Sequence, residues 1–133
     1  HVDHEVSTLQ QVFTGWEGPI GEALFRKVIK EFIQIHLDDI ELTKSLHQQV
    51  SHLECRQALR EATRYFETII ANLLTQRFET QLSMREVEIR AFVVTNAIDA
   101  LIQLALNEDT GMLSESSFLE ELVNIVKQAF NAT

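Results

Sequence analysis

The sequence predicts an all-α domain, and three observations carry that reading. One proline and four glycines occur in 133 residues, a scarcity of breakers that suits helices better than turn-rich β architecture. Apolar residues recur at spacings of three and four in segment after segment, as amphipathic helices require. The stretch Arg85–Asn107 is apolar around far more than half its circumference, more than a single core contact needs.

From Val2 to Trp16, the residues Val6, Leu9, Phe13 and Trp16 mark a short amphipathic helix, which Trp16-Glu17-Gly18-Pro19 ends. Pro19 suits the first turn of the next helix, where its missing N–H costs nothing. That helix is expected from Pro19 to about Leu37, burying Leu24, Phe25, Val28, Ile29, Phe32 and Ile35, with His36 inside the apolar arc. Asp38-Asp39 reads as a helix restart, because carboxylates favour helix N-termini. A short helix then runs from Asp39 to about Val50, and Ser51 is a plausible cap for the helix after it. This next long helix spans roughly Leu53 to Phe78, with Cys55, Leu59, Ala62, Phe66, Ile69, Ile70, Leu73 and Leu74 on one side and Tyr65 at its edge. Arg77 projects onto that side where it can reach solvent or the last carbonyls. Thr80–Ser83 is a polar connection, and Ser83 with Glu86 fits a capping box.

The Arg85–Asn107 helix divides into two apolar faces. Val87, Ala91, Val94, Ile98, Leu101, Ile102 and Ala105 form one; Val93, Ala97, Ala100 and Leu104 widen it into a second. Glu88, Asn96, Asp99 and Gln103 make a polar strip that Phe92 interrupts. One face is expected to pack within the subunit and the other to meet a second copy; the wheel does not assign which is which. After a break at Thr110-Gly111, a last helix runs from Glu115 to Phe130, capped by Ser114 or Ser116. Phe118, Leu122, Ile125, Val126 and Ala129 form its face, extended by Leu119, Val123 and Phe130. The total is about six helices in one domain, residues 1–133, with no strand, repeat or low-complexity linker.

Composition narrows the function. Net charge is −9, so the chain is repelled by phosphate backbones and is not expected to bind nucleic acid itself. A single cysteine permits no internal disulfide and points to a reducing compartment. No unbroken apolar run spans a bilayer and no signal-peptide pattern appears. The expectation is a soluble, cytoplasmic protein without a membrane partner. The chain starts at His1 rather than Met, as an excised fragment would.

No catalytic constellation is present, and an enzyme is not expected. None of His1, His4, His36, His47 and His52 has a Glu three residues before it, which removes the di-iron bundle pattern. HExxH, a glycine-rich phosphate loop and a GxSxG elbow are also absent from the sequence. Neither metal nor cofactor is expected. Cys55 reads as inert packing. What remains is a cavity among helices, since small-molecule sites are apolar pockets with a few placed polar groups. Polar-capable residues on or beside apolar faces are Trp16, His36, Arg64, Tyr65, Thr95 and Asn96. With the apolar positions around them, the candidate pocket is Trp16, Phe32, His36, Tyr65, Phe66, Ile69, Phe92 and Asn96. The bland reading of each is ordinary packing: Tyr65 half-buried, Trp16 capping the core, Asn96 bonding across a dimer seam.

The order of long helix, short helix with Leu46-His47-Gln48-Gln49-Val50, long helix, then RAFVVTNAIDALIQLALNED and SSFLEELVNIVKQAF resembles the C-terminal half of a TetR-family transcriptional regulator. The resemblance covers nearly the whole chain and rests on pattern more than on invariant residues. It implies an all-helical homodimer whose last two helices form a four-helix bundle with those of the partner. On this chain the interface would be Val93, Ala97, Ala100, Leu101, Leu104, Phe118, Leu122 and Val126. It also implies an effector cavity among the middle helices; because the candidate pocket has few charges, the effector is expected to be small and apolar or aromatic. Effector binding there would control release of DNA by N-terminal helix-turn-helix heads. The sequence departs from the family in lacking such a basic head, as an excised C-terminal domain or a headless relative would, so DNA is a partner only through a head not present in this chain. The alternative is a helical module that binds another protein and no small ligand, with a solid core and a heterologous partner.

Overall fold

A computed structural model describes residues 10, 11, 14–16, 18–45, 49–108 and 111–131, with the backbone alone for 41–45 and 49–55. Among these residues the fold is all-helical, with four α-helices rather than about six. They are α1 (Glu22–Ser45), α2 (Gln49–Arg77), α3 (Met84–Asn107) and α4 (Ser116–Ala129), with one 3-10 turn at Met112–Ser114. Most of the expected Val2–Trp16 helix, including Val6, Leu9 and Phe13, lies outside the described residues, as do Leu46, His47 and the side chains of Ser51 and Cys55.

The extra helix was expected from a break at Asp38-Asp39 that does not exist. α1 runs through both residues. Gln34 Nε2 donates to Asp38 Oδ1 at 2.9 Å from one turn earlier, and Asp39 is half-buried within the helix. With the Asp38 carboxylate held by the preceding turn, and no Gly or Pro between Gly21 and Gly111, nothing stops the helix. Ser51 falls inside α2 and not ahead of it. Pro19 precedes α1 instead of opening it, and its carbonyl accepts from Trp16 Nε1 at 3.0 Å.

Other boundaries agree with the sequence. Ser83 caps α3: Glu86 N–H donates to its hydroxyl at 3.1 Å, while Ser83 N–H donates to Glu86 Oε1 at 2.9 Å. After α3 the backbone reverses at Gly111, whose φ of 76° is the left-handed region glycine enters freely. Neither expected serine caps α4. Its N-cap is Glu115, whose side chain makes no cap bond, and Ser114 Oγ donates back to the Gly111 carbonyl at 2.9 Å.

α2 packs most extensively against α3, and α1 against α4 and α2. The core between them holds Leu24, Ile29 and Phe32 of α1, Phe66 and Leu74 of α2, Ile98 and Ile102 of α3, and Leu122 and Val123 of α4. Burying each such side chain contributes about 1.5–3 kcal/mol. The α2–α3 turn is closed by Phe78, buried beneath the guanidinium groups of Arg77 and Arg90, 4.9 and 5.4 Å from its ring centre. Arg90 Nη1 also donates to the Ala129 carbonyl at 2.8 Å, satisfying an orphan acceptor at the end of α4. α3 is the one helix among the described residues long and apolar enough by composition to cross a membrane, a property that core helices share. That composition reflects its two apolar faces.

Candidate functional site

α3 presents different chemistry on different sides. Its inward side buries Val87, Ala91, Val94, Ile98, Ile102 and Ala105, the first sequence face except for Leu101, which is exposed. The outward side carries Ile89, Val93, Leu101 and Leu104, between 38% and 60% exposed, while Phe92, also exposed, lies toward α2. Ala97 is half-buried between them and Ala100 is exposed. Scattered exposed apolar residues are ordinary, but a contiguous stripe along one helix face marks an interaction surface. Of the expected interface residues, Val93, Ala97, Ala100, Leu101 and Leu104 lie on this stripe. Phe118 is half-buried against the core. Leu122 and Val126, each 1% exposed, belong to the core of the single chain, so their side chains are already covered before any partner arrives.

The residues expected to line one pocket separate into three places. Phe32, His36, Phe66 and Ile69 lie in the core. Phe32 stacks on Phe66 with ring centroids 4.7 Å apart, and His36 stands edge-on to Phe32 at 4.6 Å. These rings pack on one another, and Tyr65 lies half-buried at the margin. Trp16 is elsewhere, since it bonds to Pro19, ahead of α1, while His36 lies four turns into that helix, about 21 Å along its axis at 1.5 Å per residue. Phe92 and Asn96 lie on the wall of an open groove of about 610 Å³ between α2 and α3.

A residue absent from that expectation joins the core to the groove. Asp99 lines the groove, and its Oδ1 lies 2.7 Å from His36 Nε2. Gln103 Nε2 donates to Oδ2 at 2.9 Å. His36 Nδ1 is 2.8 Å from the Phe32 carbonyl. A carbonyl oxygen only accepts, so Nδ1 carries hydrogen. Nε2 faces the Asp99 carboxylate at 2.7 Å, a contact that is an ion pair when the ring is protonated. Burial pushes the nearby Asp39 carboxyl above its ordinary range, and attraction to His36 partly offsets this. A histidine in an apolar arc needs a polar partner on a facing helix; the polar strip of α3 was the signal that could have found Asp99.

The α2 wall of the groove holds Arg56, Leu59, Arg60, Thr63, Arg64 and Glu67; Phe92, Asn96, Asp99 and Gln103 face them from α3. Arg56, Arg60 and Arg64 recur every four residues and share one helix stripe. Arg64 alone of these three stands out in the sequence. Among the described residues no group of three or more His, Cys, Asp or Glu could hold a metal ion.

With this geometry in place, comparison with known proteins identifies the domain. The family model of the tetracyclin repressor-like C-terminal domain matches residues 22–128, from the start of α1 almost to the end of α4. The chain belongs to that family. No curated protein and no solved structure matches the chain significantly. Tetracyclin repressor-like C-terminal domains are regulatory rather than enzymatic, and they typically dimerise and bind small effectors.

Proposed function

We propose that this domain senses a small effector and holds two copies of the chain together in a soluble, cytoplasmic bacterial repressor. The observation that carries the reading is the exposed apolar stripe on α3, Ile89 to Leu104, in a domain of this family. A two-fold contact buries such a stripe against its own copy. DNA would be held by helix-turn-helix heads outside these 133 residues. An effector with an apolar or aromatic body enters the α2–α3 groove beside Phe92 and Asn96, which places it against Asp99 and, through Asp99, against His36 of α1. It shifts the spacing of the heads only by its differential affinity for the two arrangements of the bundle.

Native mass spectrometry of the purified domain tests the dimer. A species at twice the 15.3 kDa chain mass is expected. Ala100→Glu should return it to a monomer with unchanged helix content, because Ala100 is exposed on the stripe and absent from the core. A wild-type monomer would overturn the dimer and favour a helical module that binds a different protein. Melting curves with a panel of apolar and aromatic compounds test the effector. No shift with any compound would overturn effector sensing.

A further inference from the structure

We infer that the α2–α3 groove is an organic-anion site: its occupant carries a carboxylate or phosphate on the Arg56–Arg60–Arg64 ladder and an apolar body against Leu59 and Phe92. The inference rests on the reading of the domain as an effector sensor and names the ligand's chemistry.

Seven arginines occur in the sequence, and four of them are engaged within the fold. Arg26 is bidentate to Glu120 at 2.7 Å through each nitrogen, Arg85 pairs with Glu88, Arg90 holds the Ala129 carbonyl and Arg77 lies over Phe78. Arg56, Arg60 and Arg64 are exposed and form no ion pair or side-chain hydrogen bond among the described residues. Their isolation is not for want of acid, since Glu61 and Glu67 each sit three positions from Arg64. Cations at four-residue spacing repel and weaken their own helix. In a chain of net charge −9, such a ladder is poorly explained by solubility.

An anion bridging two of these guanidinium groups relieves the repulsion and receives the bidentate hydrogen bonds that arginine gives carboxylates and phosphates. The opposite wall supplies the remaining contacts. Phe92 is half-exposed and offers a ring face, and Asn96 an amide. Both oxygens of Asp99 are engaged by protein partners, His36 and Gln103. At about 610 Å³ the groove lies within the range of roughly 300–1,000 Å³ of small-molecule sites. That size, with the chain's overall acidity, fits a small anion and not a nucleic acid.

The test is calorimetric titration of the domain with 1-naphthoate, 1-naphthyl phosphate and the neutral 1-naphthamide, at about 0.05 and 0.5 M salt. At least one anion should bind about tenfold or more tightly than the amide. That preference should shrink in high salt and be abolished in Arg60→Gln, whose melting temperature should equal or exceed that of the wild type. The naphthoate and phosphate arms separate the two anion chemistries. An amide that binds as well as both anions, or an Arg60→Gln variant that keeps the preference, overturns the anion site and leaves effector sensing standing. Absence of binding by all three compounds overturns the anion site. If the apolar panel then also fails to shift melting, the sensor reading falls with it.

Discussion

Asp99 Oδ1 and His36 Nε2 meet at 2.7 Å across 63 positions of sequence, tying α3 to α1 at the edge of the core. His36 is 1% exposed and Asp99 18%. Removing one partner leaves the other buried and unmatched. Asp99→Asn should therefore destabilise the fold by about 3 kcal/mol, at the lower end for a broken buried pair because Asp99 retains some water contact. His36→Leu combined with Asp99→Leu should recover most of that loss, since replacing both partners by apolar groups is often nearly neutral. Urea denaturation of the two single variants and the double variant measures the coupling. Additive losses would show that the contact is not energetically linked.

The α3 N-terminus gives a smaller effect with a clear origin. Ser83→Ala removes the hydroxyl that accepts from Glu86 N–H and should cost about 1 kcal/mol. The Glu86 carboxyl, held below its ordinary 4.5 mainly by hydrogen bonding from the Ser83 backbone, should keep a depressed pKa in that variant. A carboxyl titration by NMR and a melting curve check both statements.

The capping box was legible because its two halves lie three residues apart and act through local geometry. The core faces of α1 and α2 were legible for a similar reason: Phe32 and Phe66 announce themselves by period. What failed depended on partners distant in sequence. Asp38 and Asp39 read as a helix start until Gln34 and the buried surroundings of Asp39 are known. The family resemblance places Leu122 and Val126 in a dimer interface, whereas the packing of α4 within the chain already buries them. The pocket residues Trp16 and His36 share a polar-on-apolar pattern, but the length of α1 keeps them apart.

That distinction between core and stripe can be measured. Leu122→Ala should lower protomer stability by about 2–5 kcal/mol, the range for a truncated buried leucine. Val93→Asp, at a position 60% exposed, should leave protomer stability within about 0.5 kcal/mol and abolish self-association. Denaturation of each variant, with sedimentation in parallel, separates the two. A Val93→Asp protein that remained dimeric would move the interface off this stripe.

Acid stability should be set partly by the cluster that joins α1 to α4. Hydrogen bonds from Lys127 and Arg26 hold the Glu22 carboxyl below its ordinary 4.5, and that from Arg26 does the same for Glu120. A carboxyl with a lower pKa in the folded chain than in the unfolded one binds fewer protons when folded. Its stabilisation is complete above 4.5 and disappears as pH falls through the depressed value. The melting temperature should therefore decline as pH drops below that point, and the decline should be shallower in Glu22→Gln combined with Glu120→Gln. Asp39 acts in the opposite sense: burial raises its pKa, so its contribution is lost as pH rises. Equal acid limbs in the wild type and the double variant would show that the cluster does not govern acid unfolding.

Thr95 offers the reverse kind of change, a substitution that should strengthen the fold. It is fully buried on the core side of α3, and its hydroxyl has no hydrogen-bond partner among the described residues. A buried polar group without a partner costs the fold its desolvation, about 1–3 kcal/mol. Thr95→Val keeps the shape and the branching at Cβ while exchanging the hydroxyl for a methyl, and helix propensities of the two residues are close. The variant should be more stable by about 1 kcal/mol. That gain raises the midpoint of urea unfolding without changing its slope. A loss of stability instead would mean that the hydroxyl is satisfied in solution.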